Sequence, residues 1–208
     1  MMVQAKGPVW HQKQKSRGII PEGLRGLDKE ATWATSKADG WVYGHGTFSL
    51  VSHGVPVVGG FKWMRNCAHE GKRLWEEAGR YQGQLRAVVM DSKADDCKMY
   101  RAFRRERRMA LVTRCRERMN KTAQRRAMIR QMRRPENRRR LKERSHTVEP
   151  MQGLVKEIFD LDRCWMRGDD NNRWLFAAMG LAVQMSQLEA YREGRSTWQV
   201  KGRVLGEG

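Results

Sequence analysis

Two acids in this chain stand where carboxylates commonly do chemistry. Asp91 ends the apolar run Leu85-Arg86-Ala87-Val88-Val89-Met90, and Glu149 follows Arg144-Ser145-His146-Thr147-Val148, with Lys156 seven residues further on. A carboxylate at a strand end and another on a helix can meet in space to hold a divalent cation, and their hard oxygens suit Mg²⁺ (or Mn²⁺). Between them, from Arg101 to Arg144, lie 19 Lys or Arg against four acids, so most of the formal charge of +19 is concentrated there. So basic a run points to a polyanionic partner. The chemistry indicated is metal-dependent attack on the phosphodiester bonds of DNA. The bland alternatives are a strand-end acid that caps the next turn, for Asp91, and a solvated acid in the first turn of a helix, for Glu149.

The elements that must position these residues follow from periodicity. The first 39 residues read as extended segments and loops, broken by Gly7-Pro8, Pro21 and further glycines. Trp41 to Val51 is rich in β-branched and aromatic residues, and Val55 to Val58 can pair back after His53-Gly54. A helix is predicted over about 66–81, a strand buried on both faces over 85–90, a helix over 95–107 and a short buried strand over 109–113. From 116 to 133 the chain is helix-permissive without a clean apolar stripe, and Pro135 stops it. A helix over about 147–160 carries a core face of Val148, Met151, Val155, Ile158 and Phe159, with Thr147 as its cap. The last helix, about 172–192, is apolar nearly all round in its first half and is expected to be buried. The tail, 193–208, is expected to be loose. Strands followed by helices, with a central strand ending in an acid, predict an α/β layered fold with ligand chemistry at strand C-terminal ends.

Composition narrows the setting. The chain length suits one domain, read here as 1–192 with a basic insertion at about 116–142. The cysteines Cys67, Cys97, Cys115 and Cys164 show no paired spacing, so free thiols are expected rather than a zinc site. The longest apolar run, Trp174 to Val183, falls short of the roughly 20 residues a membrane helix needs, and no secretory signal opens the chain. A cytoplasmic protein, nucleoid-associated when on DNA, is the expectation. Trp10, Trp33 and Trp41 are read as core aromatics rather than base-stacking platforms.

Four segments together resemble the DDE transposases of bacterial insertion sequences. They are Val9-Trp10-His11 with Lys13; Asp28-Lys29-Glu30-Ala31-Thr32-Trp33 with Ser36 and Gly40-Trp41-Val42-Tyr43-Gly44; Val88-Val89-Met90-Asp91; and Arg144, Val148-Glu149, Gly153, Lys156 and Phe159. Each is weak singly, but in this order they are specific, and they cover most of the chain. The resemblance implies a ribonuclease H-like mixed sheet flanked by helices, with two Asp and one Glu holding two Mg²⁺ for DNA strand cleavage and transfer. Asp91 and Glu149 would be the metal ligands, Arg144 and Lys156 phosphate contacts, and dimers on double-stranded DNA the assembly. Arg138, Arg139 and Arg140 are further expected DNA contacts, and His146 a neighbour that could orient Glu149. The family's first catalytic Asp belongs to an Asp-Ser-Thr-like strand whose register falls immediately before Met1, so the sequence reads as truncated at its N-terminus. Asp28 is the nearby acid that could substitute, although its type and place fit a loop or capping acid better. Three functions follow: an active transposase domain, a remnant that binds DNA without chemistry, or an unrelated basic RNA-binding protein.

Overall fold

The computed structural model describes residues 1–36, 40–66, 68, 70–116 and 122–206. Cys67 and the predicted helical stretch 117–121, Met119 included, lie outside the described residues. The chain is mixed α/β, 47% helix and 17% strand. It divides into two compact units, one formed by 1–69 with 150–208 and the other by 70–149. The basic stretch at 116–142 is therefore part of a larger unit that also contains Asp91.

The first unit is organised by β3 (Gly40–Val51), antiparallel to β1 (Met2–Gln4), β2 (Thr32–Ser36) and β4 (Val58–Met64). Gly44 is opposite both Thr32 and Gln4, and Gly46 is opposite both Met2 and Met64. It follows that β1 takes one edge of β3 while β2 and β4 share the other, end to end. Glycine at 44 is required by the close approach of β1: a Cβ there would lie 1.9 Å from the Val3 carbonyl oxygen. The N-terminal region is thus less irregular than its glycines and prolines predict, containing β1, β2 and the short helix α1 (Gln12–Ser16). The partner of β3 starts at Val58 rather than Val55 because the chain closes a loop first, Ser52 Oγ accepting from Val57 N at 3.0 Å.

Against this sheet pack α6 (Val148–Ile158) and α7 (Asp169–Arg192). Val3, Val58, Phe61 and Trp63 meet Met151, Val155, Phe176, Met179 and Val183 in one apolar core. Gly180 lets α7 lie directly on β4, since a Cβ there would fall 2.9 Å from that of Phe61. Gln187, fully buried, accepts from Val58 N at 2.8 Å and donates to the carbonyls of Pro56 and Thr197 at 3.1 Å each. The predicted core face of α6 holds at Met151, Val155 and Ile158.

Three expectations for this unit change. The last helix is not buried all round: Trp174, Leu181, Met185, Leu188 and Tyr191 are exposed, because only one face of α7 meets the sheet. The tail is ordered by α8 (Lys201–Leu205), by buried Thr197 and Val200, and by Arg203 pairing with Glu189 and Glu193. Of the tryptophans, Trp10 is buried and Trp33 donates to the Trp10 carbonyl, but Trp41 is 62% exposed.

The second unit contains α2 (Glu70–Arg80), β5 (Ala87–Val89), a short 3₁₀ turn (Ser92–Ala94), α3 (Cys97–Glu106), β6 (Ala110–Val112), α4 (Ala123–Met132) and α5 (Pro135–Ser145). β5 and β6 are parallel, with Val88 opposite Leu111. Ala87 and Val89 are only half-buried, so β5 is not covered on both faces. α4 does find a core, through Met128, Ile129 and Met132. It also buries Arg125, which grips Asp95 with both terminal nitrogens, the second at 2.6 Å. Thr122 caps α4 by accepting from Arg125 N at 3.1 Å. Pro135 starts a helix instead of merely ending one: it is the first residue of α5, where a missing N–H costs nothing. Thr147 does not cap α6. Its hydroxyl donates backwards to the Glu143 and Arg144 carbonyls, closing the end of α5.

Candidate functional site

Asp91 follows β5 at its C-terminal end, held from two sides. Its carbonyl accepts from Thr113 Oγ1 at 2.5 Å, which ties it to the residue after β6, and Oδ1 accepts from Lys93 N at 2.9 Å, which caps the 3₁₀ turn. The capping role and a ligand role are compatible, because the cap uses one carboxylate oxygen of two.

Glu149 sits in the first turn of α6, 62% exposed, with Oε1 3.5 Å from Arg144 Nη1. The Arg144 and Glu149 that the sequence placed together are therefore adjacent. Lys156, two turns further along α6, pairs with Asp162 at 2.8 Å. His146 is the exposed residue that ends α5.

The arginines of α5 are less mutually repulsive than their number suggests. Arg139 pairs with Glu143 at 3.5 Å and Arg140 with Glu136 at 2.5 Å, each one helical turn apart, while Arg138 is exposed. Among the described residues, no three His, Cys, Asp or Glu side chains gather in a group that could hold a metal ion. Asp91 and Glu149 have the donor chemistry for Mg²⁺, but the described side chains do not converge into a complete ligand set.

Asp28 has a defined role in the first unit. It is buried, and Oδ1 accepts from the backbone N–H groups of Glu30 and Ala31 at 3.2 and 3.3 Å, as a loop-capping acid does. Oδ2 accepts from Gly168 N at 3.0 Å and lies 2.9 Å from His45 Nε2. Burial alone would raise its pKa, but the bonds from His45, Gly168 and Glu30 together hold its carboxyl below the usual range. Its backbone carbonyl accepts from Tyr43 Oη at 2.5 Å, and burial with the neighbouring Asp28 charge pushes that phenol up to about 12.

His45 and Asp169 complete this network, and sequence reading singled out neither. Trp63 Nε1 donates to His45 Nδ1 at 3.2 Å. An indole can only donate, so Nδ1 is the acceptor and Nε2 carries the proton toward Asp28. Asp169 Oδ1 lies 3.3 Å from the same Nδ1, buried and without a hydrogen bond of its own. Burial first, then the Glu30 carboxylate, raise the pKa of Asp169 against the opposing pull of His45 and arginines. The signal available in the sequence was the histidine between Gly44 and Gly46 inside a strand, a place where neighbouring backbone approaches closely. With no solvent exposure and both ring nitrogens engaged, His45 is a structural hub that fastens the 28–31 loop and the start of α7 to β3.

Two of the thiols, Cys115 and Cys164, are quiet. Burial pushes Cys164 up to about 12, and burial with the Asp95 carboxylate does the same for Cys115, so both are held as thiols. Comparisons with protein-family models, with curated proteins and with solved structures find no match to this chain.

Proposed function

We propose that this chain is the catalytic domain of a DDE-type DNA transposase with a ribonuclease H-like arrangement, acting on double-stranded DNA. One observation carries the reading: Asp91 follows a strand of a parallel pair, at its C-terminal end, with its backbone pinned by Thr113 and one carboxylate oxygen left over from capping. That is where α/β folds place ligand chemistry. Asp91 and Glu149 would hold Mg²⁺, which when bound supplies a polarised nucleophile and stabilises the leaving oxygen. Arg144, 3.5 Å from Glu149, would hold that carboxylate in place, and Arg138, Arg139 and Arg140 of α5 would contact backbone phosphates. Lys156 would add a phosphate contact from the same helix as Glu149.

A second reading, DNA binding without strand chemistry, is favoured by the solvent exposure of Glu149 and its pairing with Arg144. Nicking of supercoiled plasmid by the full chain, with and without Mg²⁺ or Mn²⁺, separates the two. Metal-dependent nicking that is lost in Asp91→Asn supports the enzyme. Tight duplex binding with no nicking under either metal leaves the second reading. Stronger binding to RNA than to duplex DNA would overturn both.

A further inference from the structure

A polar cleft of about 640 Å³ lies within the second unit, between the turn that follows α2 and the end of α3. Gln82, Arg86, Arg105, Glu106, Arg107 and Arg108 line it, four guanidinium groups against one carboxylate. None of the four arginines forms an ion pair among the described residues.

Two of these arginines are set by ring stacking and by the local backbone. The Arg107 guanidinium lies 4.4 Å from the centre of the Trp75 ring and donates to Gln82 Oε1 at 3.1 Å. Its Nε is buried without a hydrogen-bond partner. Trp75 is itself fixed edge-on against fully buried Phe103, so the guanidinium is oriented before any ligand arrives. Glycine at 79 leaves the room, since a Cβ there would come within 2.8 Å of the Arg107 guanidinium. Arg108 has φ 54°, a left-handed conformation that glycine adopts freely and arginine does not. That conformation ends α3, directly after its C-cap Arg107, and leaves Arg108 lining the cleft.

The cleft is also separate from Asp91. Arg86 immediately precedes β5, and Arg107 and Arg108 lie just ahead of β6. Because the strands are parallel, the arginines gather at their N-terminal end, while Asp91 stands at the C-terminal end, about 16 Å along the strand direction.

We propose that this cleft is a phosphate-binding site, taking either the phosphodiester backbone of a nucleic acid or a free polyphosphate. Planar guanidinium groups bind phosphate oxygens in pairs, and four around one cleft can hold two adjacent phosphates. The site stands whether or not Asp91 performs catalysis.

The test is a double variant of the full chain, Arg86→Ala with Arg108→Gly. Arg86 is exposed and glycine suits the backbone at 108, so the thermal midpoint should not fall. Arg105→Gln, also at an exposed position, replaces the pair if it does. Inorganic pyrophosphate is titrated by calorimetry at low salt, and a 20-base-pair duplex by fluorescence anisotropy. At least tenfold weaker pyrophosphate binding is expected. Weakening of the duplex as well, or of the duplex alone, identifies a nucleic-acid backbone as the ligand, whereas weakening of pyrophosphate alone identifies a free polyphosphate. Unchanged affinity for both overturns the proposal. The variant with Arg138, Arg139 and Arg140 changed to Ala should weaken duplex binding and keep pyrophosphate binding, so failure of the DNA surface on α5 and failure of this cleft read differently.

Discussion

His45 Nε2 lies 2.9 Å from Asp28 Oδ2, and neither side chain reaches solvent. Removing the carboxylate strands the buried N–H donors that it accepts from, at a cost of about 1 to 3 kcal/mol for each such group. Asp28→Ala should therefore destabilise the first unit by that order, read as a shift in the urea midpoint followed by tryptophan fluorescence. A loss below about 1 kcal/mol, the size of a surface substitution, would show that the network does not hold the fold.

The two carboxylates around His45 should give stability opposite dependences on pH. Asp28 has its folded pKa depressed, so its contribution is present above the unfolded value of about 3.9 and is lost as pH falls through the lower folded value. Asp169 is raised, so its contribution is full below about 3.9 and is lost as pH rises through the higher folded value. Stability measured from pH 2.5 to 7 should lose its acid-side slope in Asp28→Asn and gain at neutral pH in Asp169→Asn. Identical profiles for wild type and both variants would refute the assignment.

Asp91→Asn keeps the cap on Lys93 N, since Asn caps as well as Asp, and should leave the thermal midpoint unchanged. Glu149→Gln removes an exposed charge and should be equally mild. Each should weaken Mn²⁺ binding in a calorimetric titration while duplex affinity holds or rises, because a repelling charge has gone. A metal titration unaltered in both variants would remove Asp91 and Glu149 from the ligand role.

The three arginines of α5 are not equivalent. Arg139 and Arg140 already have carboxylate partners on their own helix, whereas Arg138 forms no ion pair there. Each phosphate contact contributes about 0.9 to the slope of log affinity against log salt. Arg138→Ala should lower that slope by about 0.9, and the triple variant by no more than about 2.7. A slope that stays constant in the triple variant would place the DNA surface elsewhere.

Alternation located the long strand from 41 to 51, short apolar runs located the strands on either side of α3, and the 3.6-residue period located the buried face of α6, because each pattern reports directly on packing. Periodicity failed at 135–145, where α5 has little apolar face and is started by proline and stabilised by charge pairs one turn apart. It failed again at α7, whose even apolar content conceals that one face meets β4 and the other meets solvent. Of the candidate residues, Arg144 and Glu149 were grouped by the resemblance, and they pair at 3.5 Å where α5 gives way to α6. The Asp28, His45 and Asp169 cluster was not, because those residues come from a loop, a strand and a distant helix that only the tertiary fold unites. The arginine cleft shares this property: its cations come from the residue before β5, from the last turn of α3 and from the link between α3 and β6.

Because α7 lies on β4, the first unit is built from two segments, 1–69 and 150–208, that flank the second. During synthesis, β3 and β4 leave the ribosome with their covering helix still untranslated, and the whole of 70–149 must be made before it appears. At about 5 to 20 residues per second that interval is on the order of ten seconds. For that time Phe61 and Trp63 have no helix to shield them, while α2, β5, α3 and β6 can already close over one another. Vectorial synthesis thus favours the basic unit forming first, with the nascent sheet the chain's period of greatest exposure to aggregation.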